Sequence, residues 1–296
     1  MSILQLPQWV KGHMYLEKTF SDLTADQVLD LQTRLSGLVS DDPEVSVVIP
    51  AWNEENNIFR SLSSLAYTNT LRKVEIIVIN NNSTDNTQLV LDQLGVKSYL
   101  EPKQGISYAR QLGLLKAKGK YHLCADSDTY YPPSWIDLMV KPMANEENVV
   151  GVYGRYSFMP LTNTGRLSLA IYESITGLLV RIRRKNREHL NVLGFNMGFI
   201  TQVGKDNGGF NVKEVRKFDN ALGSTDFIEE AEDGRMALNL RKSGKLKLVT
   251  DWKARVFTSS RRLDAEGGLI QSFRNRVKVH SNRLLEYFNG STIDHL

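Results

Sequence analysis

The chain has 296 residues, of which 41% are apolar and 24% charged, the composition of a folded globular protein, which excludes wholesale disorder. Its 37 basic and 33 acidic side chains leave a formal charge of +4, too small to imply a nucleic-acid partner, and none is expected. A single cysteine, Cys124, excludes an intramolecular disulfide and fits a reducing, cytoplasmic setting. The sequence shows no apolar run of membrane-spanning length, and its first residues lack the positive flank of a signal peptide.

Residues 1–44 read as a helical N-terminal extension: Leu23, Val28, Leu31, Leu35 and Leu38 keep helical spacing until Asp41-Asp42-Pro43 stops the pattern. Residues 45–49 form a β-branched run ended by Pro50, a buried strand. Residues 53–67 follow as a helix with Ile58, Leu62 and Leu65 on one face. A second strand over 74–79 leads into Asn80-Asn81-Asn82-Ser83-Thr84-Asp85, where Ser83 or Thr84 is expected to cap the next helix. A strand near 96–100, a helix over 106–118 and a strand over 121–125 complete a first half, residues 45–145. Strands alternating with helices at this spacing specify an α/β fold with a doubly wound, mainly parallel sheet. Ligands of such sheets lie beyond the carboxyl ends of the strands, and the polar clusters after Ile49, Ile79 and Ala125 fall at those ends.

A second half, residues 146–255, is less regular. It holds an expected strand over 149–156, a helix over 167–182 and a Gly/Asn-rich stretch over 194–211. A helix from about 225 to 243 carries Glu229, Glu230, Glu232 and Asp233, and short strands follow over 247–250 and 254–257. Residues 256–296 form a basic C-terminal region. Within the helix over 167–182, Leu167, Ile171, Ile175, Leu178, Leu179 and Ile182 make an apolar stripe, followed at once by Arg181, Arg183, Arg184, Lys185 and Arg187. Such a stripe either packs into the core or lies at the surface of an anionic membrane, here its inner face.

Asp126-Ser127-Asp128 places two carboxylates two residues apart at a strand end. They can converge on one hard divalent cation, Mg or Mn, which prefers oxygen ligands. The same tripeptide also makes an ordinary solvated turn; its position after the strand favours the metal. Cys124 sits in an apolar run and reads as a buried structural thiol.

Val47-Val48-Ile49-Pro50-Ala51-Trp52-Asn53-Glu54-Glu55, the segment Val78 to Asp85, Gly105-Ile106-Ser107-Tyr108-Ala109-Arg110, Asp126-Ser127-Asp128, Gly194-Phe195-Asn196-Met197, Gly208-Gly209-Phe210 and Glu232-Asp233 occur in an order that resembles the family-2 glycosyltransferases of the GT-A fold. The likeness covers roughly residues 45–245. It implies transfer of a sugar, commonly with inversion, from a UDP- or GDP-sugar to a glycan or lipid-linked acceptor, as in surface-glycan or polysaccharide synthesis. It further implies a metal on Asp126 and Asp128, and donor binding by Pro50, Ala51, Trp52, Glu54, Asn81, Arg110, Asp126, Arg261 and Arg262. Asp233 is implied as the base that deprotonates the acceptor hydroxyl, with Glu232 as the alternate.

Two departures stand out. Asn80-Asn81-Asn82 replaces the family's paired aspartates, putting an amide where a carboxylate usually accepts a hydrogen bond from the nucleotide base. Tyr130 takes the place where dolichol-phosphate sugar synthases carry a third metal ligand, so water or donor phosphate is expected to complete the shell. His280, lacking spacing partners, reads as structural. Two other classes fit an α/β nucleotide fold. A sugar nucleotidyltransferase would ordinarily carry a glycine-rich loop after its first strand, which residues 50–55 lack. A non-catalytic nucleotide-sugar-binding protein is suggested by the asparagines, but the retained carboxylate pairs favour catalysis.

Overall fold

The computed structural model describes residues 5–16, 18–160, 165–211 and 232–281. Ten strands occur among them: β1 (Val45–Ala51), β2 (Val74–Asn80), β3 (Ser98–Leu100), β4 (Tyr121–Cys124), β5 (Thr129–Tyr130), β6 (Val149–Gly154), β7 (Tyr156–Met159), β8 (Met197–Ile200), β9 (Lys245–Val249) and β10 (Val256–Ser259). The helices are α1 (Gln8–His13), α2 (Ala25–Leu38), α3 (Ile58–Ala66), α4 (Thr87–Gln93), α5 (Ile106–Lys116), α6 (Trp135–Asn145), α7 (Arg166–Arg183), α8 (Thr201–Asp206), α9 (Glu232–Arg241), α10 (Arg261–Ala265) and α11 (Leu269–Ser281).

A seven-stranded sheet runs in the order β3-β2-β1-β4-β8-β6-β9. Its strands are parallel except β8, which is antiparallel to both β4 and β6. Successive side chains of a strand face opposite ways, and both faces here are covered, which is why β1 and β2 are buried along their whole length. Val47, Ile49, Ile76, Val78 and Leu123 join the core with Leu31 and Leu35 of α2, α3, α4 and α6. Val48, Ile77 and Ile79 pack against α5 on the other side. There α5 approaches β1 so closely that a Cβ on Gly113 would lie 2.3 Å from Val48 Cγ1. A small second sheet, β5-β10-β7, sits beside the first.

Several boundaries differ from the expectations. The helix placed over 53–67 begins only at Ile58, because Asn53 adopts the left-handed region at φ 52° and the chain turns before it winds. Neither Ser83 nor Thr84 caps α4, which Asn86 precedes without a side-chain cap; both bond to the Asn53 loop instead. The run over 149–156 divides at Arg155 into β6 and β7, which belong to different sheets. β8 lies inside the Gly/Asn-rich stretch, where no strand was expected. The strand expected over 254–257 is β10, preceded by a 3-10 turn over Trp252–Ala254. Glu229 and Glu230 lie outside the described residues.

α7 matches its expected span, but the expected apolar stripe is not its buried face. Leu169, Ala170 and Tyr172 are buried, with Leu169 and Tyr172 against Phe158 and Leu263. Leu167, Ile171, Ile175 and Leu178 are each 40% or more exposed among the described residues.

Candidate active site

The loops after β1 and β2 are stapled together. The Asn53 N–H donates to Ser83 Oγ (3.0 Å) and the Thr84 N–H to Asn53 Oδ1 (2.8 Å). The Glu54 N–H donates to Thr87 Oγ1 (2.8 Å) and the Glu55 N–H to Asp85 Oδ2 (3.1 Å). With the loop after β4 they enclose a cleft of about 230 Å³ lined by Pro50, Ala51, Trp52, Glu54, Asn81, Ile106, Asp126, Ser127 and Asp128. Six residues expected at the donor thus share one cleft with Asp128. Trp52 remains 36% exposed, so part of its aromatic surface is open for stacking.

Asn81 is committed to the protein itself. Its amide nitrogen donates to the backbone oxygens of Glu101 (3.1 Å) and Lys103 (2.8 Å), and its Oδ1 accepts from the Gly105 N–H (2.8 Å). This explains the departure from aspartate: a carboxylate has no hydrogen to offer those two carbonyls. The side chain holds the 101–105 loop at the cleft wall, with one lone pair of Oδ1 left over.

Asp126 is seated by groups that no local pattern reveals. Its N–H donates to the Tyr131 hydroxyl (2.8 Å), which donates to the Phe195 carbonyl (3.0 Å). The Ser61 hydroxyl donates to the Asp126 carbonyl (3.0 Å). Beneath it lies Arg110, only 3% exposed. The guanidinium donates to Asp126 Oδ1 (2.8 Å) and to the Gly194 carbonyl (3.0 Å), and pairs with Glu232 Oε1 at 3.4 Å. Gly194 is needed there, since a Cβ would fall 2.4 Å from the guanidinium. The Gly194 N–H in turn donates to Asp233 Oδ2 (3.0 Å). Burial, then the adjacent Glu232 carboxylate, raises the Asp233 carboxyl to about 7, against the pull of Arg110 and two backbone N–H groups. Arg110, placed at the donor by resemblance, therefore ties the first aspartate of Asp126-Ser127-Asp128 to the Glu232-Asp233 pair.

A second arginine spans the opposite side. Arg261 Nη2 donates to Glu54 Oε1 (2.9 Å) and Asp128 Oδ2 (2.8 Å). β10 pairs with β5 beside it, and the Ser259 N–H donates to the Asp128 carbonyl (3.2 Å), which fixes where Arg261 emerges. The side chains of Arg262 and His280 lie outside the described residues.

The donor set suits a hard divalent cation. Glu54, Asp126, Asp128, Glu232 and Asp233 contribute five carboxylates to this region against the guanidiniums of Arg110 and Arg261, an acidic excess that a cation relieves. Asp126 and Asp128 are the two carboxylates of the cleft after β4 that could hold such a cation. Tyr130 is not a third: it is buried with Val10 and Phe257. Among the described residues no group of three or more His, Cys, Asp or Glu side chains is gathered for a metal; a cation held by two carboxylates alone would take the rest of its shell from phosphate oxygens and water. Cys124 lies beside this region, its thiol pushed up to about 12 by burial, as befits a structural residue.

Residues 46–205 match glycosyl transferase family 2, and the chain belongs to that family. Glycosyltransferase GlyA of Streptococcus pneumoniae is 29% identical over 122 residues, which is 40% of this chain and 17% of that protein. Chondroitin synthase of Pasteurella multocida is 34% identical over 116 residues, 38% of this chain and 12% of that protein; the chain thus spans less than a fifth of either relative. Among solved structures, the mannosyltransferase PcManGT of Pyrobaculum calidifontis, in complex with GDP-Man and Mn2+, superposes with a TM-score of 0.53 at 18% identity, over 85% of this chain and 72% of that one. Glucosyl-3-phosphoglycerate synthase of Mycobacterium tuberculosis, in complex with Mn2+, UDP-Glc and phosphoglyceric acid, gives 0.50 at 20% identity, over 83% and 80%. The fold is that of the GT-A glycosyltransferases.

Proposed function

We propose that the chain transfers a sugar from a UDP- or GDP-sugar to an acceptor hydroxyl with inversion, in the assembly of a glycan or polysaccharide. The observation that carries this reading is the Arg110 bridge, which holds Asp126 of the donor cleft and Glu232 on one guanidinium, while Gly194, which accepts from Arg110, donates its N–H to Asp233. Asp233 is the base. At a pKa near 7 it is substantially ionised at neutral pH, yet basic enough to take the acceptor proton as that oxygen bonds to the anomeric carbon. The bond from that carbon to the donor diphosphate breaks as the new one forms. Trp52 stacks on the base, while Asn81 holds the loop against which the nucleotide lies. Asp126 and Asp128 hold Mg or Mn, which when bound offsets charge on the diphosphate leaving group. The Mn2+ and nucleotide sugars in proteins of the same fold support this donor class, and the lack of glycine in residues 50–55 disfavours a nucleotidyltransferase. Asp128→Ala is expected to abolish Mn-dependent binding of UDP or GDP with the fold intact. Unchanged Mn-dependent binding by calorimetry refutes the assignment.

The exposed face of α7 supports a second element of this reading, docking on an anionic membrane where a lipid-linked acceptor resides. Leu167, Ile171, Ile175 and Leu178 are exposed and lead into Arg181, Arg184 and Lys185, also exposed, a pairing of apolar and basic surface that matches an anionic lipid interface. No described helix is long and apolar enough to cross a membrane. Sedimentation with anionic vesicles at low salt, lost on adding salt or on replacing Ile171 and Leu178 with serine, is the expected result; absence of sedimentation at low salt removes this element.

A further inference from the structure

Asp128 and Glu54 belong to different loops, are only 23% and 13% exposed, and meet across a single nitrogen of Arg261. Two partly buried carboxylates brought this close repel unless a cation lies between them. Here a side chain provides that cation. Its backbone is fixed, because β10 is paired to β5 and the Arg261 N–H donates to Ser259 Oγ (3.2 Å). Its side chain is half exposed, at 47%, and only Nη2 is engaged among the described residues. The guanidinium can therefore leave without disturbing the sheet.

We propose that Arg261 is an exchangeable counter-ion, which occupies the carboxylates of Asp128 and Glu54 until a divalent cation and a nucleoside diphosphate arrive together. The inference rests on the reading of Asp126 and Asp128 as the cation site. A divalent ion on Asp128 repels the adjacent guanidinium, so the two cations compete for one carboxylate. Displaced alone, Arg261 loses two charge-assisted hydrogen bonds. Displaced in the presence of a diphosphate, it recovers them on phosphate oxygens, to which its planar fork is well matched. Metal alone is thus penalised and metal with nucleotide is not. The binding of each strengthens the other, and by linkage the effect is the same in both directions. Arg261 is in this sense a positioning residue for donor loading.

The test is a titration of Mn2+ into the whole chain, following free Mn2+ by its electron paramagnetic resonance signal, with and without UDP or GDP. In the absence of nucleotide, Arg261→Gln is expected to bind Mn2+ about tenfold more tightly than the natural protein, the scale of a lost hydrogen bond to a charged group. Arg261→Lys keeps the charge and is expected to stay near the natural affinity. The enhancement of Mn2+ binding by UDP or GDP is expected to shrink about tenfold in Arg261→Gln, since the cost it relieves has gone. Equal or weaker Mn2+ binding by Arg261→Gln without nucleotide overturns the proposal. Adding Asp128→Asn to Arg261→Gln separates the two levels. If Mn2+ binding survives that double change, the cation site itself is misassigned. If binding is lost there while Arg261→Gln alone gives no gain, the site stands and the exchange does not.

Discussion

Arg110 and Arg261 each join two acidic side chains from distant parts of the chain, yet they are opposite devices. Arg110 is 3% exposed and adds a bond to the Gly194 carbonyl, whereas Arg261 is 47% exposed and engages one nitrogen. Removing one partner of a buried pair strands an uncompensated charge, while an exposed pair is exchanged readily for water or another ion. The buried arginine builds the floor on which Asp126 and Glu232 are held. The rim arginine guards carboxylates that a ligand has to reach. Similar geometry at different depth gives a framework in one place and a gate in the other.

The largest expected effect lies at the floor. Asp233→Asn keeps the size of the side chain but loses its basicity, so turnover should fall roughly 10²–10⁴-fold with little change in nucleotide affinity. Steady-state kinetics beside a UDP or GDP titration checks this, and a loss confined to Glu232→Gln would reassign the base. Arg110→Met should cost about 3–5 kcal/mol of stability in urea unfolding, because Asp126 and Glu232 lose their shared cation. A loss no larger than that of Arg261→Gln would erase the distinction drawn between the two arginines.

The pH profile sharpens the same contrast. A base has to be ionised to work, so kcat/KM should rise with pH through about 7 and level off above it. Arg110 lowers the Asp233 value, so the inflection should move upward in Arg110→Met and stay in place in Arg261→Gln. A smaller effect is expected at Asn81. Asn81→Asp sets a carboxylate against the carbonyls of Glu101 and Lys103 and should destabilise by about 1–3 kcal/mol, visible in thermal unfolding before any nucleotide is added. Least affected is Arg261→Gln itself, for which a loss of about 1 kcal/mol of stability is expected, the same scale as the change in Mn2+ binding.

The first half of the fold was legible because β-branched runs and polar strand ends are local signals: β1, β2, β4 and α5 lie close to their expected positions, and six of the nine expected donor residues line one cleft. β8 was not legible, since Met197-Gly198-Phe199-Ile200 is short and glycine-containing and gains its strand character from β4 and β6 on either side. Arg110 was found as a candidate, but its role depends on a carbonyl 84 residues away. Arg261 meets partners 207 and 133 residues distant. Tyr131 and Ser61, which seat Asp126, carry no motif at all. For Asn81 the unusual amide was visible, while the carbonyls that require it were not.

Cys124 gives this protein a built-in clock. It is the only thiol in the sequence, it is buried in the centre of the main sheet, and it lies two residues before Asp126. Only its thiolate reacts with a disulfide reagent, and burial suppresses that form, so labelling waits for the strand to open. The rate of modification therefore counts excursions of the protein's interior at the very strand that carries the acidic loop. Ligands that hold β4 closed should slow that clock, in a measurement that needs neither acceptor nor turnover.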